Sequence, residues 1–275
     1  MSKRREVKKR LATLDEIDGI MGAMKNLALL ETRKLGVFLD TQRRATATIE
    51  AAANDFLSFF ATPPLAEQRE VLLLFGSERG FCGDFNESLL AHLAGLPEAD
   101  ARDVIAVGGR LEGKLRDDDA VLARIEGASV AEEVPAALLR LVETLNRLQS
   151  GAGGAWRIAA LYHDDKEGGM RRRDLLPLPH PQARPAHAYA PLLNVPPADF
   201  LAQLSDQYLY AALHEVYYAS LMAENRMRLE HMDSAMRRLE KDEAVLRLRY
   251  NALRQEEIIE EIEVILLSAE ALAEQ

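Results

Sequence analysis

The sequence predicts an α/β domain inserted between two long helices that pair antiparallel. Three observations carry this expectation: segregated helix breakers, coiled-coil spacing at both ends, and short apolar runs alternating with helical patterns in the middle. All 11 prolines of the 275-residue chain lie between Pro63 and Pro197, and 13 of its 16 glycines lie between Gly76 and Gly169. Residues 198–275 contain neither type. Residues 1–62 contain no proline and only Gly19, Gly22 and Gly36. A proline in a helix interior costs about 3 kcal/mol and a glycine about 1, so the two ends can be helical where the middle cannot. The expected division is therefore a helical element made of residues 1–62 and 198–275, with an α/β domain at 63–197 that closes on a Pro-rich connector, 177–197.

In the first arm Val7, Leu11, Leu14, Met21, Ala28, Leu35, Phe38, Ala45, Ile49, Ala52, Phe56 and Phe59 follow one alternating three-four series. In the second, Phe200, Leu204, Tyr208, Ala211, Tyr218, Met222, Leu229, Met232, Met236, Leu239, Leu246, Tyr250 and Leu253 share another. The register then shifts to Ile258, Ile262, Ile265 and Ala269. A sustained spacing of about 3.5 residues is the coiled-coil signature. Helices of this length would run about 80 and 110 Å. Two apolar stripes cannot both stay in water, and pairing them is the economical solution. The competing arrangement is a helical bundle broken near Gly19–Gly22 and Gly36.

The seam is imperfect. Asp18, Lys25, Glu31, Gln42, Glu215, Asn225 and Glu243 interrupt it. Such residues either fix the register of the pair or face another protein. Charge favours pairing of the arms: residues 1–60 carry 11 basic and 8 acidic side chains, residues 198–275 carry 8 and 16. The whole chain has a net charge of −10, which argues against a nucleic-acid binder. The acidic cluster Glu256, Glu257, Glu260, Glu261 and Glu263 reads as a solvated face. Cys82 stands alone, so neither an internal disulfide nor a multi-thiolate metal site is expected, and a reducing compartment is. No apolar run reaches 18 residues and no signal-peptide core follows the basic start.

In the middle, residues 71–75, 104–107 and 156–162 are apolar runs that read as strands, and 172–178 reads as an edge strand. Helical patterns lie near 84–95, 109–116 and 133–149, which implies a parallel α/β sheet. Asp199 is placed as a cap near the start of the second arm. Two glycine-rich loops follow strands. Gly76 to Gly83 fits no phosphate-binding pattern. Gly108 to Leu115 matches GxxxxGK, but Leu115 stands where a Ser or Thr hydroxyl would bind Mg²⁺, so it reads as a strand-to-helix turn. The six histidines show no metal-ligand spacing. His163-Asp164-Asp165 reads as a polar turn and Cys82 as a structural cysteine. No catalytic residue, metal ligand or cofactor site is expected.

Three segments together resemble one family, the gamma subunits of F-type ATP synthases. Arg5-Glu-Val-Lys-Lys-Arg10-Leu-Ala-Thr-Leu14, continuing to Ala23-Met24-Lys25, is similar to the family's opening helix. Ser77-Glu-Arg-Gly80-Phe-Cys-Gly83-Asp-Phe-Asn86 is similar to its SDRGLCGxxN segment. The second arm matches most specifically, through Tyr208-Leu-Tyr210, Glu224-Asn225, Arg228, Met232-Asp-Ser-Ala235, Tyr250-Asn251, Arg254-Gln255, Ile258, Glu261 and Ile265. The chain departs from the family at Glu16–Met21, at Asn26, at Leu29-Leu30-Glu31, at Ile259 in place of a Thr, and at Ser268–Leu272, which marks a divergent bacterial branch.

The resemblance implies an antiparallel coiled coil with a Rossmann-like α/β domain at its foot. It implies a non-catalytic rotor that transmits torque between a membrane c-ring and a catalytic ring of alpha and beta subunits, with an epsilon subunit at the foot and no cofactor. It further implies a peripheral location on the cytoplasmic face of the bacterial inner membrane. Met24, Lys25, Arg254 and Gln255 would contact the beta subunit. Gly80, Cys82 and Gly83 would shape a structural loop of the foot domain.

Overall fold

The computed structural model describes residues 3–60, 69–96, 103–115, 121–152, 156–164, 166, 169–178 and 189–273. Asp165, His180, His187 and residues 179–188 of the predicted connector lie outside them. Two helices hold the ends: α1, Lys3–Phe59, and α5, Pro197–Ala273. Between them lie β1 (Arg69–Phe75), α2 (Phe85–Ala94), β2 (Val104–Val107), α3 (Gly109–Glu112), β3 (Val121–Ile125), α4 (Val134–Ala152), β4 (Trp156–His163) and β5 (Met170–Leu176). α1 runs unbroken through Gly19, Gly22 and Gly36, which excludes the broken bundle. The described residues group into two compact units, 28–228 and a second made of 1–27 with 229–275.

In unit 28–228 the sheet order is β3-β2-β1-β4-β5. β3, β2, β1 and β4 are parallel, and β5 closes the edge antiparallel to β4. The two faces of β1 explain its unbroken apolar run, because a strand buried on both sides has no polar face. Leu72 and Leu74 pack with Leu89 of α2 and Leu111 of α3. Val71, Leu73 and Phe75 pack with α4 and with both long helices. β3 is an element the apolar-run criterion misses, because this edge strand is fully buried only at Val121 and Ile125. α3 is four residues long, shorter than the helical pattern 109–116. The second arm starts with Pro197 in its first turn, where a missing N–H costs nothing. Asp199 lies inside that turn and is not the cap the sequence suggested.

The buried stripe of α1 corrects the predicted seam. Ala28 and Leu35 are buried as expected, but from there Leu39, Thr46 and Ala53 are buried while Phe38, Ala45 and Ala52 are exposed. The buried positions keep one strict alternation of three and four, from Ala28 through Thr32, Leu35, Leu39, Gln42, Thr46, Ile49 and Ala53 to Phe56, with Thr32, Gln42 and Ile49 half-buried. The predicted series takes two steps of three in succession, Lys25 to Ala28 to Glu31, and so misses this stripe by one residue at every second position while still meeting it at Leu35, Ile49 and Phe56. On α5 the residues from Ala211 to Asn225 are fully buried apart from Glu215 and Tyr218. A helix apolar on all sides is one buried on all sides.

Polar seam residues have partners inside the chain. Gln42 Nε2 donates to the Ala211 carbonyl at 3.0 Å. The Glu31 carboxylate accepts the Ala131 N–H at 3.1 Å and pairs with Lys34, which also reaches Glu132 at 2.7 Å. In the other unit Arg4 pairs with Glu257 at 2.8 Å and Lys25 pairs with Asp233, which sets α1 and α5 antiparallel there. Beyond Glu257, α5 has outrun the start of α1. Ile258, Ile262 and Ile265, which continue its apolar series, are all exposed.

The position of the stripe gives a direct test. Ala53→Glu places a carboxylate in a buried position and should cost about 3 kcal/mol or more. Ala45→Glu, one turn-face away, should change stability by less than about 0.5 kcal/mol. Guanidinium unfolding of the two variants, followed by circular dichroism, measures both.

Candidate functional site

The loop after β1 is the most heavily tied segment of unit 28–228. Its Ser77 N–H donates to Asn86 Oδ1 at 2.9 Å, and Asn86 returns a bond from Nδ2 to the Ser77 hydroxyl at 2.8 Å. Glu78 then gathers the ends of the neighbouring parallel strands. Its Oε2 accepts the N–H of Gly109, after β2, at 2.8 Å and that of Gly127, after β3, at 2.6 Å. Gly108 makes this approach possible. Its φ is +117°, and a Cβ there would lie 2.7 Å from the Gly76 carbonyl oxygen, so no other residue fits. Further along, Phe81 (φ +64°) and Gly83 (φ +62°) both adopt the left-handed conformation. The strain of that conformation at Phe81 is held by what surrounds it.

What surrounds it is α5. The Gly80 carbonyl accepts Arg228 Nε–H at 3.2 Å. Arg228 also donates from Nη1 to Asn225 Oδ1 at 2.8 Å and forms a buried ion pair with Glu224. The Glu78 N–H points to Glu224 Oε2 at 3.4 Å. Burial pushes the Glu224 carboxyl upward against the pull of Arg228. Cys82 lies buried with Phe85 and Ala223, its Sγ 3.6 Å from the Arg79 carbonyl. Burial raises that thiol above its ordinary value, away from a reactive thiolate. The predicted loop residues Gly80, Cys82 and Gly83 are thus found together, at a junction between loop and helix. The sequence resemblance includes Glu78, Glu224, Asn225 and Arg228 but assigns none of them this role. A loop acid that gathers backbone N–H groups, beside a helix that carries Glu224, Asn225 and Arg228, gives no pattern that periodicity detects.

On the other side of β1, His163 at the end of β4 stacks on Phe85, with ring centres 4.0 Å apart. Its Nε2 lies 2.8 Å from the Phe85 carbonyl. That acceptor selects the Nε2–H tautomer. Asp164 pairs with Arg171 at 2.8 Å and accepts the Lys166 N–H at 2.9 Å. In open α/β sheets, ligands bind at the carboxyl ends of the strands where the strand order reverses. Here that place, between the ends of β1 and β4, is filled by Ser77, Asn86, Phe85 and His163. The GxxxxGK segment is likewise committed to structure: Lys114 Nζ pairs with Glu87 at 2.6 Å.

The four predicted contact residues lie on the other unit and are not brought together. Lys25 is half-buried in its ion pair with Asp233, and Met24 is half-buried beside it. Arg254 and Gln255 are exposed. Arg254 follows Asp233 on α5 by about 30 Å of helix. A groove of about 520 Å³ opens in this unit between Lys8, Leu11, Asp15, Glu243, Arg247 and Tyr250, a consequence of a seam that is only half closed.

A sheet of four parallel strands and one antiparallel edge strand, inserted in the sequence between two long terminal helices, defines the class of fold. A family model described as ATP synthase matches residues 3–272, and the chain belongs to that family. Its relatives include the ATP synthase gamma chains of Azobacteroides pseudotrichonymphae, 26% identical over 98% of each chain, and of Chlorobaculum tepidum, 24% identical over 98% of each. Among solved structures, the rotor of Euglena gracilis mitochondrial ATP synthase superposes with a TM-score of 0.66 at 12% identity, over 93% of this chain and 98% of that one.

Two outcomes are expected of this junction. Arg228→Met leaves Glu224 buried without its partner and should destabilise the chain by about 3–5 kcal/mol, whereas the double variant with Glu224→Gln recovers a large part of that; denaturant unfolding measures the cycle. Burial holds the His163 imidazole below its ordinary value of 6.5. The neutral form is favoured by folding, so this contribution is complete above the ordinary value and is lost as pH falls through the folded one. Between about pH 7.5 and about pH 5.5 the melting temperature of the parent should therefore fall further than that of His163→Gln.

Proposed function

We propose that the chain is the gamma chain of an F-type ATP synthase, a central-stalk rotor subunit that performs no bond chemistry itself. In this reading 1–62 and 198–275 form the coiled-coil shaft and 63–197 the foot. Alpha and beta subunits surround the shaft, while epsilon and the membrane c-ring meet the foot. The complex lies peripherally on the cytoplasmic face of the bacterial inner membrane. Among the described residues no helix is long and apolar enough to cross a membrane. Rotation of an asymmetric shaft changes which beta subunit is open, and this couples ion flow to ATP synthesis or hydrolysis.

The observation that carries the reading, on a chain of this family, is the surface of the unit made of 1–27 and 229–275. Among its described residues only Val7 and Met232 are fully buried. Ile20, Leu27, Leu248, Ile259, Val264 and Leu267 are more than half exposed. Apolar surface on this scale calls for a covering partner. Arg254 and Gln255 lie exposed at its edge and supply directional hydrogen bonds to a beta-subunit loop. Lys25 can keep Asp233 and still offer a donor to a beta subunit, since an ammonium has three; Met24 beside it supplies apolar contact.

Affinity-tagged chain should co-purify with ATPase alpha and beta subunits from its own cells. Isolation alone, or with unrelated proteins, removes the rotor reading. In the assembled complex Arg254→Ala should lower coupled ATPase turnover by about tenfold, the scale of one lost charge-assisted hydrogen bond. The isolated chain should keep its melting temperature. Unchanged turnover removes Arg254 from the coupling contacts.

A further inference from the structure

A rotor read this way must pass torque between its α/β domain and its long helices, and one side chain of unit 28–228 touches all three. Arg173 sits on the edge strand β5. Its Nη2 donates to Glu50 of α1 at 2.7 Å and its Nη1 to Glu215 of α5 at 3.0 Å. The guanidinium is only 14% exposed and Glu215 16%. Tyr208 of α5, itself buried, donates its hydroxyl to the same Glu50 at 3.4 Å. The chain of charges continues. Arg43 of α1 lies 3.8 Å from Glu215 and 3.7 Å from Asp164, at the end of β4, and Asp164 pairs with Arg171 of β5. Glu50, Arg173, Glu215, Arg43, Asp164 and Arg171 therefore alternate in sign, three of each, across α1, α5, β5 and the end of β4.

Apolar burial also joins them, through Tyr208, Ala212, Leu213 and Val216. Hydrophobic contact is non-directional, so it opposes separation better than sliding. A guanidinium with two fixed donors is directional and opposes sliding. Although its burial works against the charge, the two carboxylates hold Arg173 above its ordinary range. It stays a cation at any pH the cell meets.

We propose that Arg173 is a positioning residue for rotary coupling, a two-pronged clamp that fixes both long helices to the edge of the α/β domain under torque. The proposal rests on the rotor reading above. Neutral Arg173→Gln would leave Glu50 and Glu215 facing each other as like charges while the apolar contacts remain. The helices could then turn in the catalytic ring with the domain lagging behind.

The test uses the assembled ATP synthase in inverted membrane vesicles, with ATP hydrolysis and ATP-driven uptake of the ion moved by the parent complex measured on the same sample. Arg173→Gln is expected to keep most of its hydrolysis and to lose about half or more of the ions moved per ATP, the loosening expected when a paired cation is removed from a partly buried site. Arg173→Lys, which keeps the charge but not the fork, should fall between the two. Should Arg173→Gln fail to assemble, Glu50→Gln and Glu215→Gln each remove one prong and should each lower the same ratio. A parent-like ratio in assembled Arg173→Gln, or in both carboxylate variants, overturns the clamp. A parent chain that supports no ATP-driven uptake with alpha, beta, epsilon and c subunits overturns the rotor reading instead, so the two failures are told apart.

Discussion

The stretch of α5 from Ala211 to Asn225 is buried on every side, and unit 28–228 is organised around that fact. α1 covers one flank of it and the sheet face of Val71, Leu73, Phe75 and Tyr162 covers another. A helix that must be covered from two directions needs partners from distant parts of the chain. The first arm supplies one and the inserted domain the other, so residues separated by more than a hundred positions fold as one body. Alanines at 211, 212, 219 and 223 let those partners approach closely. The apolar area removed from water supplies the stability, and it does so without fixing any particular register.

Register comes from the polar groups placed at the edges of this burial. Gln42 counts α1 against α5 by bonding one carbonyl, Ala211. Glu31 and Lys34 fix where α4 begins against α1. Glu224, Asn225 and Arg228 fix the loop after β1. Each is a buried or half-buried group whose loss of water must be compensated by a specific partner, so only one alignment satisfies all of them. The same economy places Ser77, Asn86, Phe85 and His163 at the carboxyl ends of β1 and β4, where they hold the strand ends to α2. Fold class alone assigns no ligand to such a place; that assignment rests on the side chains that occupy it.

Much of this architecture was legible before any coordinates. The breaker map locates both helices to within a few residues, because proline and glycine penalties are local and large. β1, β2 and β4 stand out because double-sided burial leaves an apolar run in each, Val71–Phe75, Val104–Val107 and Ile158–Leu161. β3 does not, since Arg124 interrupts its short apolar run, as an exposed position of an edge strand allows. The seam of α1 was legible at Leu35, Ile49 and Phe56, which the predicted series and the buried stripe share. Between them Phe38, Ala45 and Ala52 fall one residue short of the buried Leu39, Thr46 and Ala53, because both neighbours at each step are apolar or small and spacing alone does not choose between them. The loop motif was legible as a resemblance, but its reason was not. The link from Gly80 to Arg228 joins positions 148 residues apart, and only the fold brings them within a hydrogen bond. Arg173 was invisible for a similar cause: 172–178 reads as an edge strand, and the partners of Arg173, Glu50 and Glu215, lie on helices far from it in sequence.

The two units differ in kind, and the difference bears on function. Unit 28–228 contains the extended buried core, built on both faces of its sheet, and ties its buried polar groups to one another. In the unit of 1–27 and 229–275 the helices pair through half-buried Leu11, Leu14, Met21, Met236, Leu239 and Tyr250, and α5 then continues past its partner with its isoleucines bare. A segment with few fully buried groups has a low local stability when alone. Selection for a self-sufficient coiled coil would have placed leucine where Ala12, Glu243 and Asn251 line the groove. A loosely closed pair with apolar residues on its outer faces is instead what a shaft needs if a surrounding ring supplies the rest of its packing. Stiffness is then conferred by assembly, while the unit that already satisfies its own groups remains rigid before assembly and can receive the load.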